Sequence, residues 1–210
     1  DLTKERLLCA YRRGIFPWYE VGQPILWWSP DPRLVLFPDE LKISRSLRKV
    51  LRKEQFEIRF DTVFQEVIKS CADVRTNQGE GTWIIPEMQQ AYTELHQEGF
   101  AHSVESWLDG KLVGGLYGIS MGQCFFGESM FSTMNDSSKV ALVALTDFSQ
   151  RVGIKLIDCQ MTTPHLMSLG AREIKREVFI KILKKYLDTY SIKGLWNNGP
   201  VSMKVNLLQN

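Results

Sequence analysis

Three strand-like segments, a helix and a further strand follow one another in the second half of the chain, and this order restricts the possible folds. HSVESWL, KLVGGLYGIS and QCFFGESMF are separated by turns at Asp109-Gly110 and Met121-Gly122. A helix over about residues 136–151 and a strand over residues 154–161 come next. The tight turns predict an antiparallel meander, and the crossover helix lets the last strand pair in parallel. We therefore predict an α+β fold with one mixed sheet flanked by helices.

The last of these strands contains LIDCQM, residues 156–161, in which two polar residues interrupt an apolar run. Strand periodicity places Asp158 and Gln160 on one face. Burying a carboxylate and an amide is costly unless both find hydrogen-bond partners, so a purely structural network is one explanation. The other is a functional site, because the crevice beyond the strand ends of such a sheet is the usual place for a ligand. With Glu128 of FFGESMFS close by, we favour the functional interpretation.

The sequence contains none of the common motifs for nucleophilic catalysis or nucleotide binding. There is no Ser-His-Asp pattern, no P-loop and no G-x-G-x-x-G. The four cysteines and three histidines show no metal-ligand spacing, so we predict no metal site. Apolar residues are expected around the polar group, among them Leu116, Phe125, Met130 and Leu142. Such a site suits direct transfer between two bound substrates by positioning and hydrogen bonding.

The segment over residues 14–33 has the composition of a loop, with four prolines, two glycines and three tryptophans. It forms either a small core of its own or a platform on which a flat ligand such as a nucleobase stacks. The composition alone does not separate these two possibilities.

A helix predicted over residues 43–53 carries five cations within an arc of about 140° and apolar residues on its other side. The cations are Arg45, Arg48, Lys49, Arg52 and Lys53. Ordinary surface helices intersperse acids with bases, whereas no acid occurs here before Glu54. A solvated face is the plain interpretation, and binding to a phosphate backbone is the one we favour.

Composition limits the remaining possibilities. The 210 residues carry a net charge of only +2, so nucleic-acid affinity has to come from a local patch. No apolar run approaches the roughly 20 residues of a membrane span, and no secretion signal opens the chain. The four cysteines are scattered without a C-x-x-C pair, and such thiols are most at home in a reducing cytoplasm, where we expect the protein to be. The chain begins at Asp1 rather than methionine, which suggests that a natural N-terminal stretch precedes it.

The predicted strand order also fits the acyl-CoA-dependent N-acetyltransferases. Those enzymes bind the pyrophosphate of CoA at a glycine-rich turn between strand and helix. The corresponding junction here, residues 130–139, contains no glycine. An acyl donor carried on RNA agrees better with the basic helix, and a non-catalytic RNA-binding module remains a third possibility.

Short segments spread over the chain closely resemble the bacterial leucyl/phenylalanyl-tRNA–protein transferase family. They are YRRGIFPW, ILWWSPDPR, KISRS, GTWI, AHSVESW, LVGGLYG, FFGESMFS, LIDCQ and HLMSLGA. The resemblance runs from residue 1 to about residue 180. It implies a small N-terminal domain over residues 1–34, incomplete at its start, and an acetyltransferase-like catalytic domain over residues 35–210.

The resemblance also implies an activity. Such enzymes move Leu or Phe, and also Met, from an aminoacyl-tRNA to proteins that begin with Arg or Lys, and thereby mark them for proteolysis. No cofactor is implied, and we expect a monomer.

Residue roles follow from the same resemblance. Catalysis is assigned to Asp158 and Gln160, and Glu128 helps to hold the reacting amino groups. Trp18 stacks on the terminal adenine of the tRNA, with Trp83 nearby. The amino-acid pocket is lined by Leu116, Phe125, Leu142 and Leu145. The acceptor stem of the tRNA is contacted by Arg45, Lys49, Arg52 and Lys53.

Overall fold

The computed structural model describes residues 1–77, 82–189 and 194–196. In chain order the helices and strands are α1 (Lys4–Arg12), β1 (Phe16–Pro17), β2 (Trp27–Trp28), β3 (Arg33–Leu36), α2 (Arg45–Arg52), β4 (Glu57–Phe60), α3 (Phe64–Asn77), α4 (Pro86–Gln97), β5 (Ala101–Leu108), β6 (Lys111–Met121), β7 (Cys124–Ser132), α5 (Ser137–Val152), β8 (Leu156–Gln160), α6 (Pro164–Ser168), β9 (Arg172–Ile174) and α7 (Arg176–Leu187). A 3₁₀ turn spans Pro38–Glu40.

One seven-stranded sheet has the order β4-β5-β6-β7-β8-β3-β9. Strands β4 to β7 are antiparallel neighbours, and β7 pairs with β8 in parallel after the crossover through α5. The predicted α+β fold with one mixed sheet flanked by helices is therefore confirmed.

Two strands extend the sheet beyond β8. Strand β3 pairs antiparallel with both β8 and β9, so a segment from early in the chain lies between two late ones. Strand β3 begins at Arg33, next to the predicted domain boundary at residue 34. The division into residues 1–34 and 35–210 stays a prediction, and after residue 189 the structure describes only residues 194–196.

Successive side chains of the sheet strands point alternately to its two faces, and each face packs into its own hydrophobic core. Val35, Phe126 and Leu156 pack on one side with the buried faces of α1, α3, α4 and α7. Phe125 and Ile157, their neighbours in sequence, pack on the other side with α2 and α5. The protein thus has three layers, and the burial of both sheet faces explains why the strands are mostly apolar.

Capping residues define the start of α2 and the end of α5, the two helices on the face of the sheet that contains Phe125 and Ile157. The hydroxyl oxygen of Ser44 accepts a hydrogen bond from the Leu47 backbone N–H and caps α2. Leu47 and Leu51 bury one face of this helix against the core that contains α5. Helix α5 ends at Gly153, whose φ of 84° gives the left-handed C-terminal cap that glycine favours.

The sheet becomes irregular where β7 and β8 separate. Their parallel pairing ends at Phe126 and Asp158. Gly118 of β6 pairs with Gly127 of β7, and Tyr117 of β6 with Ser129 of β7, so Glu128 is the extra residue of a β-bulge on β7. On β8, Val35 pairs with Asp158 and Leu34 with Gln160, which leaves Cys159 as the extra residue of a second bulge. Gln160 itself has a φ of 62°, in the left-handed region.

Gly118 and Gly127 face each other across this bulge and offer a test of the fold. A Cβ atom at position 118 would overlap the carbonyl oxygen of Phe126, whereas at position 127 its nearest neighbour would be the Asp158 carbonyl oxygen at 3.5 Å. We expect Gly118→Ala to lower the free energy of unfolding by about 1–3 kcal/mol or more. Gly127→Ala, the matched control, should change it by less than about 1 kcal/mol. Urea denaturation of both variants measures the difference, and equal losses would contradict the described bulge.

Candidate active site

A cavity of about 400 Å³ opens where β7 and β8 separate. All six residues predicted to bind substrate line it, namely Trp18, Trp83, Leu116, Phe125, Leu142 and Leu145. Ile157, Met130 and Leu166 add to its apolar wall. Glu128 and Gln160 contribute polar groups to the same lining. An apolar pocket with a few convergent polar groups is the usual form of a small-molecule site.

Glu128 is buried and receives three hydrogen bonds. The Gln160 side-chain amide donates to its Oε1 over 2.8 Å, and the Tyr11 hydroxyl donates to the same oxygen over 2.7 Å. The Tyr92 hydroxyl donates to Oε2 over 3.0 Å. The two tyrosine hydroxyls also contact each other. Tyr11 of α1 and Tyr92 of α4 therefore hold this carboxyl group in place, and the carboxyl group still lines the cavity.

Burial decides the protonation of Glu128. It raises the pKa of the carboxyl group to about 7, against the hydrogen bonds from Tyr11, Tyr92 and Gln160, and the charge of Asp158 raises it slightly further. Burial likewise raises the pKa of Tyr11 and Tyr92 well above the ordinary tyrosine value, so both hydroxyls stay protonated as donors. Glu128 is thus poised to exchange a proton near neutral pH.

The orientation of the Gln160 amide follows from this contact. Because its nitrogen donates to Glu128, its side-chain oxygen is turned away from that carboxyl group. The oxygen accepts no hydrogen bond from any residue within the described ranges, and Gln160 lines the cavity. A ligand amine can therefore donate to it.

Asp158 differs from its two predicted partners because it lies behind the cavity lining. Its side chain is fully buried and forms two hydrogen bonds with the equally buried Arg33, from Nε to Oδ1 over 2.8 Å and from Nη2 to Oδ2 over 2.6 Å. Oδ1 also accepts the backbone N–H of Gln160 over 3.0 Å. The structure thus connects all three predicted catalytic residues, but only Glu128 and Gln160 reach the cavity.

Tyr11, Tyr92 and Arg33 were not predicted as site residues. Arg33 could have been suspected, because it begins the apolar strand RLVL and a charge there needs a buried partner. The two tyrosines lie on the apolar faces of α1 and α4, where an aromatic residue indicates ordinary core packing.

The tryptophan-rich segment packs on the shared core and also borders the cavity, whereas the nucleobase platform stays a prediction. Phe16, Tyr19 and Trp27 pack against the main core rather than forming a separate one. Trp18 lies at the edge of the cavity with 36% of its surface exposed, and the Trp28 ring lies 5.9 Å from it. Trp28 Nε1 donates to the Trp18 carbonyl oxygen over 2.8 Å, which fixes the two rings relative to each other.

The basic side of α2 faces solvent. Arg45, Lys49, Arg52 and Lys53 are exposed, and none of them forms an ion pair with another residue in the described part of the chain. They do not belong to the cavity lining. Helix α2 packs on α5, and α5 supplies Leu142 and Leu145 to the cavity, so the two features are joined through one helix.

Residues 1–77, 82–189 and 194–196 contain neither a metal-binding cluster nor a membrane-spanning helix. Within these ranges no three His, Cys, Asp or Glu side chains are grouped so that they could hold a metal ion. Nor does any helix there have the length and apolar character needed to cross a membrane.

Sequence comparison identifies close relatives. The family model described as leucyl/phenylalanyl-tRNA protein transferase matches residues 35–184, and the model of its N-terminal domain matches residues 1–31. The chain is 60% identical over 197 residues to leucyl/phenylalanyl-tRNA–protein transferase of Aromatoleum aromaticum, covering 94% of this chain and 83% of that protein. It is 62% identical over 183 residues to the protein of the same name from Syntrophobacter fumaroxidans, covering 87% and 78%.

Solved structures with a similar fold are more distant. An aminoglycoside acetyltransferase from an uncultured soil metagenomic sample matches with a TM-score of 0.44 and 13% identity, over 55% of this chain and 84% of that one. L-PGS from Bacillus licheniformis matches with a TM-score of 0.46 and 9% identity, over 77% and 52%. Neither likeness bears on the chemistry of the site.

The tyrosine contacts predict how the pKa of Glu128 responds to mutation. Tyr92→Phe removes a hydrogen bond to the charged form, so the pKa should rise above about 7. A pKa that is higher in the folded than in the unfolded state makes the free energy of unfolding fall as pH rises between the two values. The variant should therefore lose more stability at about pH 8 than at about pH 5.

Carboxyl NMR titration and urea denaturation at the two pH values measure these effects. Tyr186→Phe, on α7 outside the cavity lining, serves as the control and should leave the Glu128 titration unchanged. An unshifted Glu128 titration in Tyr92→Phe would contradict the described contact.

Proposed function

Since the chain belongs to the leucyl/phenylalanyl-tRNA–protein transferase family, we propose that it transfers Leu or Phe, and also Met, from aminoacyl-tRNA to proteins that begin with Arg or Lys. The family makes it an aminoacyltransferase. In this proposal it acts in the cytoplasm as a monomer, and its products are marked for proteolysis by their new N-terminal residue. The observation that carries the proposal is the apolar cavity with Glu128 and Gln160 on one wall.

The apolar part of the cavity suits the side chain of the donor amino acid. Leu116, Phe125, Leu142 and Leu145 offer contacts to a chain that is unbranched at Cβ, as Leu, Phe and Met all are. A methylene in such a pocket changes affinity by only about 1–3 kcal/mol, which agrees with the acceptance of several side chains. Trp18 at the cavity edge is available to stack on the terminal adenine, and Trp83 lies in the same lining.

The polar wall suits the acceptor amine. An α-amine has a pKa of about 7.7–8.0, so part of it is neutral near pH 7.5 and able to attack. The free oxygen of Gln160 would accept a hydrogen bond from this amine and aim its lone pair at the ester carbonyl carbon. Because the ester is already activated, alignment contributes more than a strong base.

Proton transfer is then assigned to Glu128. As the C–N bond forms, the nitrogen becomes positively charged, and the ionised carboxylate stabilises that charge and accepts a proton. The ester C–O bond breaks, and the ribose oxygen leaves as a hydroxyl after taking up the proton that Glu128 accepted, which regenerates the carboxylate. Asp158 takes part indirectly, through its contact with the Gln160 backbone.

The exposed basic face of α2 is proposed to hold the acceptor stem of the tRNA. Arg45, Lys49, Arg52 and Lys53 carry four positive charges that no described acid neutralises. Contacts with phosphates would make binding strongly salt-dependent.

A transfer assay tests the proposed activity directly. The protein is mixed with tRNA carrying labelled Phe and with peptides that begin either with Arg or with Asp, and labelled peptide is measured. We expect label on the Arg peptide only. Glu128→Gln should reduce kcat by about 100-fold or more, because general base catalysis typically contributes that much. RNA binding without transfer would favour a non-catalytic RNA-binding module, and tight binding of acetyl-CoA in a calorimeter would favour an acetyltransferase.

The salt dependence of tRNA binding tests the role of α2. Arg45→Ala combined with Arg52→Ala should weaken binding and reduce the slope of log K against log salt by about one for each lost phosphate contact. Lys69→Ala combined with Lys181→Ala provides the control, because these exposed lysines lie on α3 and α7, on the other side of the sheet. Equal slopes for the two double variants would remove α2 from the proposed interface.

A further inference from the structure

Arg33 is a fully buried cation in the middle of the protein. Its guanidinium lies between the rings of Phe16 and Phe179, 4.8 Å and 4.7 Å from their centroids. Its Nε and Nη2 atoms bind both carboxylate oxygens of Asp158, while Nη1 is buried without a hydrogen-bond partner in the described chain. Replacing such a pair by apolar residues is often neutral or stabilising, so stability alone does not account for it.

The contacts of Asp158 lead from Arg33 to the cavity. Oδ1 accepts hydrogen bonds from Arg33 Nε and from the Gln160 backbone N–H. Gln160 holds the left-handed backbone conformation, which is strained for a residue other than glycine and persists only when its surroundings enforce it. Asp158 supplies an enforcing contact, and Arg33 fixes the carboxylate that makes it.

The conformation of Gln160 in turn determines where its side chain lies. From this backbone the amide reaches Glu128 over 2.8 Å, and its oxygen is left to receive a ligand. A relaxed extended backbone would direct the side chain differently, and a misplacement of about 1 Å can lower a rate by about 100-fold.

We propose that Arg33 is a positioning residue for the transfer reaction: it clamps Asp158, which holds Gln160 in the left-handed conformation that places its amide in the cavity. The inference rests on the proposed function and deepens it. The negative charge of Asp158 then serves to balance Arg33 and to receive the Gln160 N–H, and it makes no contact with the reacting amine.

A pair of double variants separates this role from a direct catalytic role of Asp158. Arg33→Met with Asp158→Asn removes both charges but keeps an oxygen at position 158 that can accept the Gln160 N–H. Arg33→Met with Asp158→Leu removes both charges and the acceptor. Methionine is chosen because it packs well between aromatic rings.

Steady-state transfer of Phe to the Arg peptide gives the readout. Asp158→Asn alone leaves Arg33 unpaired, and we expect kcat to fall by about 100-fold with little change in KM for the tRNA. The Arg33→Met, Asp158→Asn protein holds no unpaired buried cation, so it should recover at least about tenfold in kcat over that single variant, which corresponds to about 1.4 kcal/mol. It should remain slower than the unmodified protein, because the clamp on residue 158 is missing. The Arg33→Met, Asp158→Leu protein should stay as slow as Gln160→Ala.

Two results would overturn the proposal. The first is an Arg33→Met, Asp158→Asn protein that is folded by circular dichroism but recovers no kcat. This result would mean that the charge of Asp158 acts in the chemistry. Equal kcat values for the two double variants would mean that Gln160 does not depend on the acceptor. Inactivity of the unmodified protein would instead refute the proposed function.

Arg33→Lys keeps the proposal testable if the double variants do not fold. Lysine keeps the positive charge but lacks the planar fork that binds both oxygens. We expect a folded protein with a lower kcat and an unchanged KM for the tRNA. An unchanged kcat would show that Arg33 only balances the charge of Asp158, and it would overturn the proposal.

Discussion

The cavity and the placement of Glu128 and Gln160 in its lining both arise from the separation of β7 and β8. Two parallel strands that stayed paired would leave no room between them. Here the pairing ends at Phe126 and Asp158, and a bulge on each strand turns the next residues out of register. Glu128 and Gln160 come directly after that point on their strands, so the irregular backbone both opens the cavity and supplies its polar wall.

Two buried carboxyl groups near each other have different environments and therefore suit different tasks. Asp158 is bound by a guanidinium and a backbone N–H, and it lies away from the cavity. Glu128 meets only neutral donors, so burial prevails and raises its pKa to about 7. The first arrangement suits a fixed structural charge, and the second suits a group that gains and loses a proton.

Strand and helix order could be predicted from the sequence because tight turns and amphipathic periods are local properties. The environment of Asp158 could not. Period-two alternation places it on the same face as Gln160, but the bulge at Cys159 and the left-handed Gln160 interrupt that alternation. Its partner Arg33 lies 125 residues away in sequence, on a strand inserted between two late ones. Leu116, Phe125 and Leu142 were expected near the polar group from the order of strands and helices, whereas Leu145 was expected there only from the family resemblance, because it is an ordinary core residue by pattern alone.

The cationic helix and the cavity share no residues, and in the proposed function this separation gives each a distinct effect on the reaction. Helix α2 packs on α5, a helix of 16 residues that also forms a cavity wall, so an RNA held on α2 is held in a fixed relation to the site. Phosphate contacts remote from the reacting atoms can align the ester before the amine attacks, and that alignment lowers the barrier. Salt should therefore act mainly through occupancy by the tRNA, whereas pH acts through Glu128 on the bound complex. If one residue both bound the tRNA and transferred the proton, a change in salt and a change in pH would alter the same contact, and tRNA binding could not be varied independently of proton transfer.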